Sequence, residues 1–303
     1  MTDYFAFENW KGIKADSGNW YRAIELLGVG GNAATFLAYC TSNPQKGLLF
    51  AVKVFRRLSK PERKTTFLEE AKFLKGCQHP AIMRIFDEGT YYDSNPFAVM
   101  EYLPRTLGEV MRAGCSFLEK VTFSMQLLSA LDFLSSEHPK VVHRDIKPAN
   151  VFIKGGSCVL GDFGLMKRIE DDGDDDRSLI KESIGPGMPF YYRTPDLVAY
   201  MNGTAPLTTQ TDVFQLGLVL AQLFTGRNPC VACDDFAAPL QIEEIGHIPS
   251  DFGGLVASLL KRMLDFDPAT RSRPSELLDN WEGLFQKVVD AAHAVEDRAF
   301  HYE

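Results

Sequence analysis

Over the first hundred residues apolar positions cluster in short runs, as in strands. Beyond Leu103 they recur at helical spacing. Residues 21–39, YRAIELLGVGGNAATFLAY, hold two apolar runs separated by glycines, which predicts a strand, a tight turn and a second strand. LLFAVKVF at 48–55 predicts a further strand, rich in Val and Phe. Residues 61–76 set Phe67, Ala71 and Leu74 at spacings of four and three, which predicts a helix. RIFDEGTYY and PFAVMEYL predict two more strands. In the second part, residues 117–137 place Leu118, Val121, Met125, Leu128, Leu131 and Leu134 on one helical face. Helices are also predicted over 212–224, 253–264 and 275–293. The change of pattern puts a boundary near Tyr102 to Pro104.

Composition narrows the class. A chain of 303 residues holds two domains or one large two-lobed one, at ~100–200 residues per domain. With 45% hydrophobic and 24% charged residues it is not a disordered chain. The net charge of −8 repels polyanions, so no nucleic-acid partner is expected. The longest apolar stretch, around Val213 to Phe224, is too short for the ~20 residues of a membrane helix, so no membrane partner is expected. The opening MTDYFAFENWKG lacks a basic region followed by an apolar core, so no secretory signal is expected. Six cysteines then read as reduced thiols of a cytoplasmic protein. Cys230 and Cys233 form one CxxC without a second pair or suitably spaced histidines, which predicts a loop with two thiols rather than a zinc site. There is no fixed-period repeat. The run EDDGDDD at 170–176 predicts a hydrated, self-repelling loop.

Three motifs carry candidate chemistry. Gly28-Val29-Gly30-Gly31 lies between two predicted strands, where glycine lets backbone approach phosphate oxygens without a Cβ in the way. A dinucleotide loop would open a helix, whereas these glycines lead into the strand ATFLAYC. Ala51-Val52-Lys53 puts a lysine among apolar strand residues, where its ammonium must snorkel or find a partner. Glu70 shares the inward helical face of Phe67 and Leu74 and is that partner candidate. The third motif is His143-Arg144-Asp145-Ile146-Lys147-Pro148-Ala149-Asn150, followed by Asp162-Phe163-Gly164.

In these motifs, taken in this order, the chain resembles the eukaryotic-type (Hanks-type) protein kinase family, Ser/Thr branch, from about Tyr21 to about Leu278. The resemblance implies an α+β, two-lobed protein-kinase-like fold. Its small lobe would be mainly antiparallel β with one helix, and its larger lobe mainly helical. The expected divisions are an aromatic-rich extension over 1–20, a nucleotide-binding small lobe over 21–102, a catalytic large lobe over 103–290 and a tail over 291–303. The implied activity is transfer of the γ-phosphate of ATP to protein Ser/Thr hydroxyls, with autophosphorylation. A pseudokinase scaffold and a small-molecule kinase are the alternatives. Lys53, Asp145, Asn150 and Asp162 argue against the first, and a recognisable activation segment, Tyr191 to Asp196, with Asp212 and Arg271 in order, against the second.

Site roles follow from the same resemblance. Asp145 resembles the catalytic base, Lys147 neutralises the γ-phosphate, and Lys53, paired with Glu70, orients the other phosphates. The oxygens of Asn150 and Asp162 suit Mg²⁺, and Mn²⁺ shares that preference. Leu27, Gly28, Val29, Gly30, Gly31, Asn32, Thr35, Ala51, Met100 and Phe152 surround the nucleotide, and Glu101, Tyr102 and Leu103 form the hinge that receives adenine. Asp212 caps amides of the catalytic loop. Arg271 pairs with Asp196, where most members have a longer Glu. Three departures stand out: Ala33 replaces the third loop glycine, Thr35 a usual Val, and Gly187-Met188-Pro189-Phe190 lacks the usual Gly-Thr. Protein substrates are expected, with basic ones favoured by Asp234, Asp235, Glu243 and Glu244. Ala149 weighs against that, since some arginine-directed kinases have an acid there. Tyr4, Phe5, Phe7, Trp10 and Trp20 are expected to pack on the small lobe. Regulatory input is expected from a partner protein or from the activation loop, where Ser183, ahead of Ser178, is the expected phosphate carrier to balance Arg144, the alternative being that the acids within 170–176 already supply that negative charge.

Overall fold

Apolar side chains cover both faces of the strands at the centre of the first sheet, and the order of strands follows from which faces must be buried. The computed structural model describes residues 12–92, 94–169, 177–178, 180, 191–233, 235 and 238–300, with side chains to residue 293. Among these, strands β1 (Ile13–Lys14), β2 (Trp20–Val29), β3 (Ala33–Cys40), β4 (Leu49–Phe55), β5 (Ile85–Tyr91) and β6 (Asn95–Glu101) form one antiparallel sheet in the order β1-β2-β3-β4-β6-β5. The core of the sheet joins Ile13, Tyr21, Phe36, Val52, Phe97 and Val99. Helix α1 (Pro61–Gly76) starts on a proline and buries Phe67, Glu70, Ala71 and Leu74. At the sheet margin the Tyr21 phenol donates to Asp87 Oδ2 over 3.1 Å, and burial pushes its pKa well up. Strand β1 and buried Ala15 belong to this sheet, so the expected boundary at Tyr21 falls too late. Trp20 on β2 is 46% exposed, so about half of its surface is covered. Tyr4, Phe5, Phe7 and Trp10 lie outside the described residues.

The chain divides after Pro104 into two compact units. The second unit is mainly helical. A Thr106–Glu109 capping box starts α2 (Leu107–Ala113), and a Ser116–Glu119 box starts α3 (Phe117–Ser136). The buried face of α3 includes Val121, Leu128, Leu131 and Leu134 as expected. Leu118, however, is exposed, and Phe123 and Leu127 take places that the single-face reading missed. Short strands β7 (Arg105–Thr106), β8 (Lys140–Val142), β9 (Val151–Lys154), β10 (Ser157–Leu160) and β11 (Lys167–Ile169) pair as β10-β9-β7 and β11-β8. Helix α4 (Pro195–Met201) is capped by Thr194.

Helix α5 (Gln210–Thr225) is buried without a break from Thr211 to Ala221. A helix apolar all round belongs at the centre of a unit. Gly217 lets it approach its neighbours, since a Cβ there would meet Leu264 and Met263 at 3.0 Å. Helices α6 (Gly253–Met263) and α7 (Pro274–Phe300) follow. α7 continues ten residues beyond the expected end of the large lobe at 290, so there is no separate tail over 291–300. No helix among the described residues is long and apolar enough to cross a membrane.

A buried ion pair ties α4 to the segment after α6. Arg271 Nη1 lies 2.8 Å from Asp196 Oδ2, with side chains 0% and 3% exposed. The shorter acid therefore still reaches its arginine, which also donates to the carbonyls of Gln210 and Asp265. Burial holds the Arg271 pKa below its usual range. Removing one partner leaves an uncompensated buried charge. Asp196→Ala is expected to cost about 3–5 kcal/mol in urea unfolding, and the Asp196→Leu/Arg271→Met pair to recover most of it. Equal losses in the single and double variants would contradict this.

Candidate active site

In the first unit, β2 and β3 form the glycine hairpin. Gly30 N donates to Ala33 O over 2.8 Å and closes the turn. A Cβ at Gly28 or Gly31 would meet nothing within 4 Å, so the backbone there stands bare and open. A bulge between Leu26 and Gly28 interrupts the ladder before the turn. Leu27 and Val29 are exposed, and Asn32 is half-buried. Thr35 on β3 faces Lys53 on β4, and Ala51 faces Met100 on β6. Lys53 Nζ sits 2.8 and 3.1 Å from the Glu70 carboxylate, with side chains 15% and 5% exposed. A strand lysine with so little water needs this partner. Glu101 N donates to Arg84 O, and Glu101 and Leu103 are half-buried.

In the second unit, α5 sets the segment 143–150. Asp212 accepts from His143 N at 2.7 Å and Arg144 N at 2.9 Å. Burial pushes the Asp212 pKa up to about 7, against the pull of those two amides. One turn along, Gln215 accepts from Ile146 N at 2.9 Å and donates to Arg144 O at 2.9 Å and Tyr192 O at 3.0 Å. Five backbone groups that no strand or helix satisfies are thus held by two side chains.

His143 is fully buried with its ring against Phe163 at 4.4 Å. Its Nδ1 accepts from Asp145 N at 3.2 Å, so Nε2 carries the proton and donates to Gly161 O at 3.1 Å. One neutral imidazole therefore joins the Asp145 loop to the Asp162 segment. Burial holds its pKa down to about 4.

Asp145 faces Lys147 Nζ at 2.8 and 3.0 Å. Asn150, at the end of the 3₁₀ turn Pro148–Asn150, donates from Nδ2 to Asp145 Oδ2 at 2.8 Å and to its backbone O at 2.9 Å. Asn150 thereby commits its donors and keeps Oδ1 as an acceptor. Burial raises the Asp145 pKa, and Lys147 works against that. Asp162 follows β10 in a left-handed conformation, φ 56°, and is exposed beside fully buried Phe163. Arg144 has φ 68°. Such backbone persists in non-glycine residues where the surroundings over-determine it. Asn150 and Asp162 offer an amide oxygen and a carboxylate, a hard donor set that fits a small divalent cation completed by water and phosphate oxygens.

The profile of the protein kinase domain matches residues 21–281. The chain belongs to the protein kinase family. This kinase domain is 31% identical over 245 residues to a probable serine/threonine-protein kinase of Streptomyces coelicolor, covering 78% of this chain and 34% of the relative. It is 29% identical over 271 residues to the carbon catabolite-derepressing protein kinase of Saccharomyces cerevisiae, covering 86% and 40%. It is 30% identical over 213 residues to the serine/threonine-protein kinase mos of Patiria pectinifera, covering 67% and 57%. The chain therefore spans well under two thirds of the length of each, and these relatives put it on the Ser/Thr side of the family.

Two kinds of site residue compare differently with expectation. Lys53–Glu70, the Asp145–Lys147–Asn150 cluster and the Asp212 cap come together as expected in the kinase domain. Gln215 was not foreseen, because a single polar residue in an apolar helix reads as a tolerated exception. Its one signal is that it shares a helical face with Asp212. The Arg144 guanidinium reaches the carbonyls of Leu165 and of Met166, the latter at 3.2 Å. Ser178 is exposed, and Phe152 is half-buried on β9. Ser183, the acidic run 170–176, Asp234 and residues 187–190 lie outside the described residues. Cys230 and Cys233 form no disulfide, and no group of three potential metal-ligating side chains occurs among the described residues.

The histidine supplies a pH test. Its folded pKa of about 4 is below the ~6.5 of an unfolded histidine. Above pH 6.5 both states are neutral. As pH falls the unfolded chain takes up the proton that the fold refuses, so stability is lost between about 6.5 and 4. Between pH 7 and 5 the native chain is expected to lose about 2 kcal/mol more in urea unfolding than His143→Gln. Parallel losses would contradict the neutral bridge.

Proposed function

We propose that this domain transfers the γ-phosphate of ATP to Ser or Thr hydroxyls of protein substrates, and that it also autophosphorylates. The observation that carries the reading is the posture of Asp145, whose carboxylate is fixed by Lys147 and Asn150 while its side chain stays 24% exposed. The Asp145 carboxylate takes the proton of the substrate hydroxyl as that oxygen bonds to phosphorus and the bond to the ADP oxygen breaks. Its raised pKa makes it a better acceptor near neutral pH. Lys147 holds Asp145 in the ground state and is near enough to meet charge on the transferred group. Lys53, held by Glu70, orients the remaining phosphates. Asn150 and Asp162 hold Mg²⁺, or Mn²⁺, which when bound offsets charge on the phosphoryl oxygens.

A reducing, cytoplasmic setting, in which the thiols of the six cysteines stay reduced, is part of this reading. A phosphate on Ser183 or Ser178 is the regulatory counterpart of this reading, alongside input from a partner protein. Of the acids expected to favour basic substrates, Glu243 pairs with Arg227 at the surface, and Asp235 and Glu244 are exposed.

Two variants test the division of labour with radiolabelled ATP. Asp145→Asn is expected to reduce transfer to protein by about 10²–10⁴-fold, the scale of general-base catalysis, while ATP binding is kept. Near-normal turnover would overturn Asp145 as the base. Asp162→Asn is expected to abolish the Mg²⁺-dependent part of the thermal shift given by ATP, and an unchanged shift would remove it as a ligand.

A further inference from the structure

A cavity of about 650 Å³ opens in the second unit beside the catalytic loop. Lys147, Pro148 and Ala149 form one wall, so whatever occupies it lies next to the acceptor hydroxyl that Asp145 addresses. The charges lining it are unbalanced. Arg112 and Lys120 line it, and among its described lining residues Glu109 is the single acid. That acid is turned to its own helix: it accepts from Thr106 N at 2.7 Å and from Thr106 Oγ1 at 3.2 Å. Lys120 is half-buried with its Nζ 5.9 Å from the centre of the Phe224 ring. On the far wall Tyr192 donates to Gln222 Oε1 at 2.6 Å, which leaves the Gln222 amide with its N–H donors. Burial keeps the Tyr192 phenol neutral, raising its pKa to about 12. It also raises the pKa of the Cys115 thiol on the same wall. The described lining thus sets Arg112 and Lys120 against the single carboxylate of Glu109, one oxygen of which is engaged at Thr106. Ala149 adds only a methyl group.

We propose that this cavity receives an acidic side chain of the protein substrate, close in sequence to the Ser or Thr that is phosphorylated. This rests on the kinase reading above and reverses the expectation of basic substrates. Arg112 and Lys120 attract the carboxylate, Gln222 donates to it, and an arginine in its place would meet two like charges against the one partly engaged carboxylate of Glu109.

The test uses three synthetic peptides with one acceptor serine flanked by Glu, Ala or Arg, each also made with alanine in place of the serine for binding by fluorescence anisotropy. The chain is used as it is and as Arg112→Glu/Lys120→Glu. The Glu peptide is expected to exceed the Arg peptide in kcat/KM and in affinity by about tenfold, through two partly exposed charge pairs. In the double variant that preference reverses, while kcat on the Ala peptide stays unchanged. A phosphoserine flank is expected to behave like Glu. Equal use of all three peptides, or preference for Arg, overturns the proposal and leaves the kinase reading standing. Charge-dependent binding of the Glu peptide without transfer to any peptide supports the cavity and overturns the kinase reading. Neither binding nor transfer overturns both.

Discussion

Two side chains on a buried helix hold the backbone that presents the catalytic residues. Asp212 and Gln215 project from α5 and satisfy the amides of His143, Arg144 and Ile146 and the carbonyl of Arg144. A segment that forms no ladder still has donors and acceptors to satisfy. Here a single rigid element meets them, so the loop inherits the position of α5. That helix is fixed in turn by apolar packing along nearly its whole length and by the close approach at Gly217. Burying the Asp212 carboxyl is costly, as its raised pKa records, and two short amide bonds offset the cost.

The consequences run outward from that anchor. Arg144 is held with φ 68°, and the chain turns so that Asp145 faces Lys147 and Asn150. His143 passes the constraint on to Gly161, after which Asp162 adopts its own left-handed conformation and Phe163 is buried. Asn150 links the same two segments, since its side chain donates to Asp145 and its carbonyl accepts from Gly161 N. The proposed base and the candidate metal ligands are therefore set by one connected network. In the first unit the equivalent device is simpler, a strand lysine whose near-burial demands the carboxylate of Glu70.

Much of this was legible in the sequence, for a physical reason. Phosphoryl transfer needs particular residue types at fixed offsets on one loop, and offsets survive in a string of letters. The helix over 61–76 and the pairing of Lys53 with Glu70 were readable because apolar spacing set the inward face. Element ends were less legible. The 1–20 and 291–303 segments were cut where motifs ran out, yet β1 pairs with β2 through Ile13, and α7 keeps a helical course to Phe300. Leu118 shows the limit of periodicity, since it lies on the right stripe but in the first turn, where it stays exposed. Gln215 was hard to see because its partners are backbone groups, two of them about seventy residues away in sequence, and such partners carry no residue-type signal. The surface pairing of Glu243 with Arg227 was also not legible, since the place of that arginine could not be read from the sequence.

The anchoring of the catalytic loop by α5 is tested most directly by amide hydrogen exchange, followed residue by residue in the native chain and in Asp212→Asn. In the native chain the amides of His143, Arg144 and Ile146 are expected to exchange slowly although they belong to no helix or strand ladder. In the variant those of His143 and Arg144 are expected to exchange about tenfold faster or more, while the amides within α5 keep their protection. Unchanged exchange at His143 and Arg144 in the variant, or an equal increase along α5, would contradict the account.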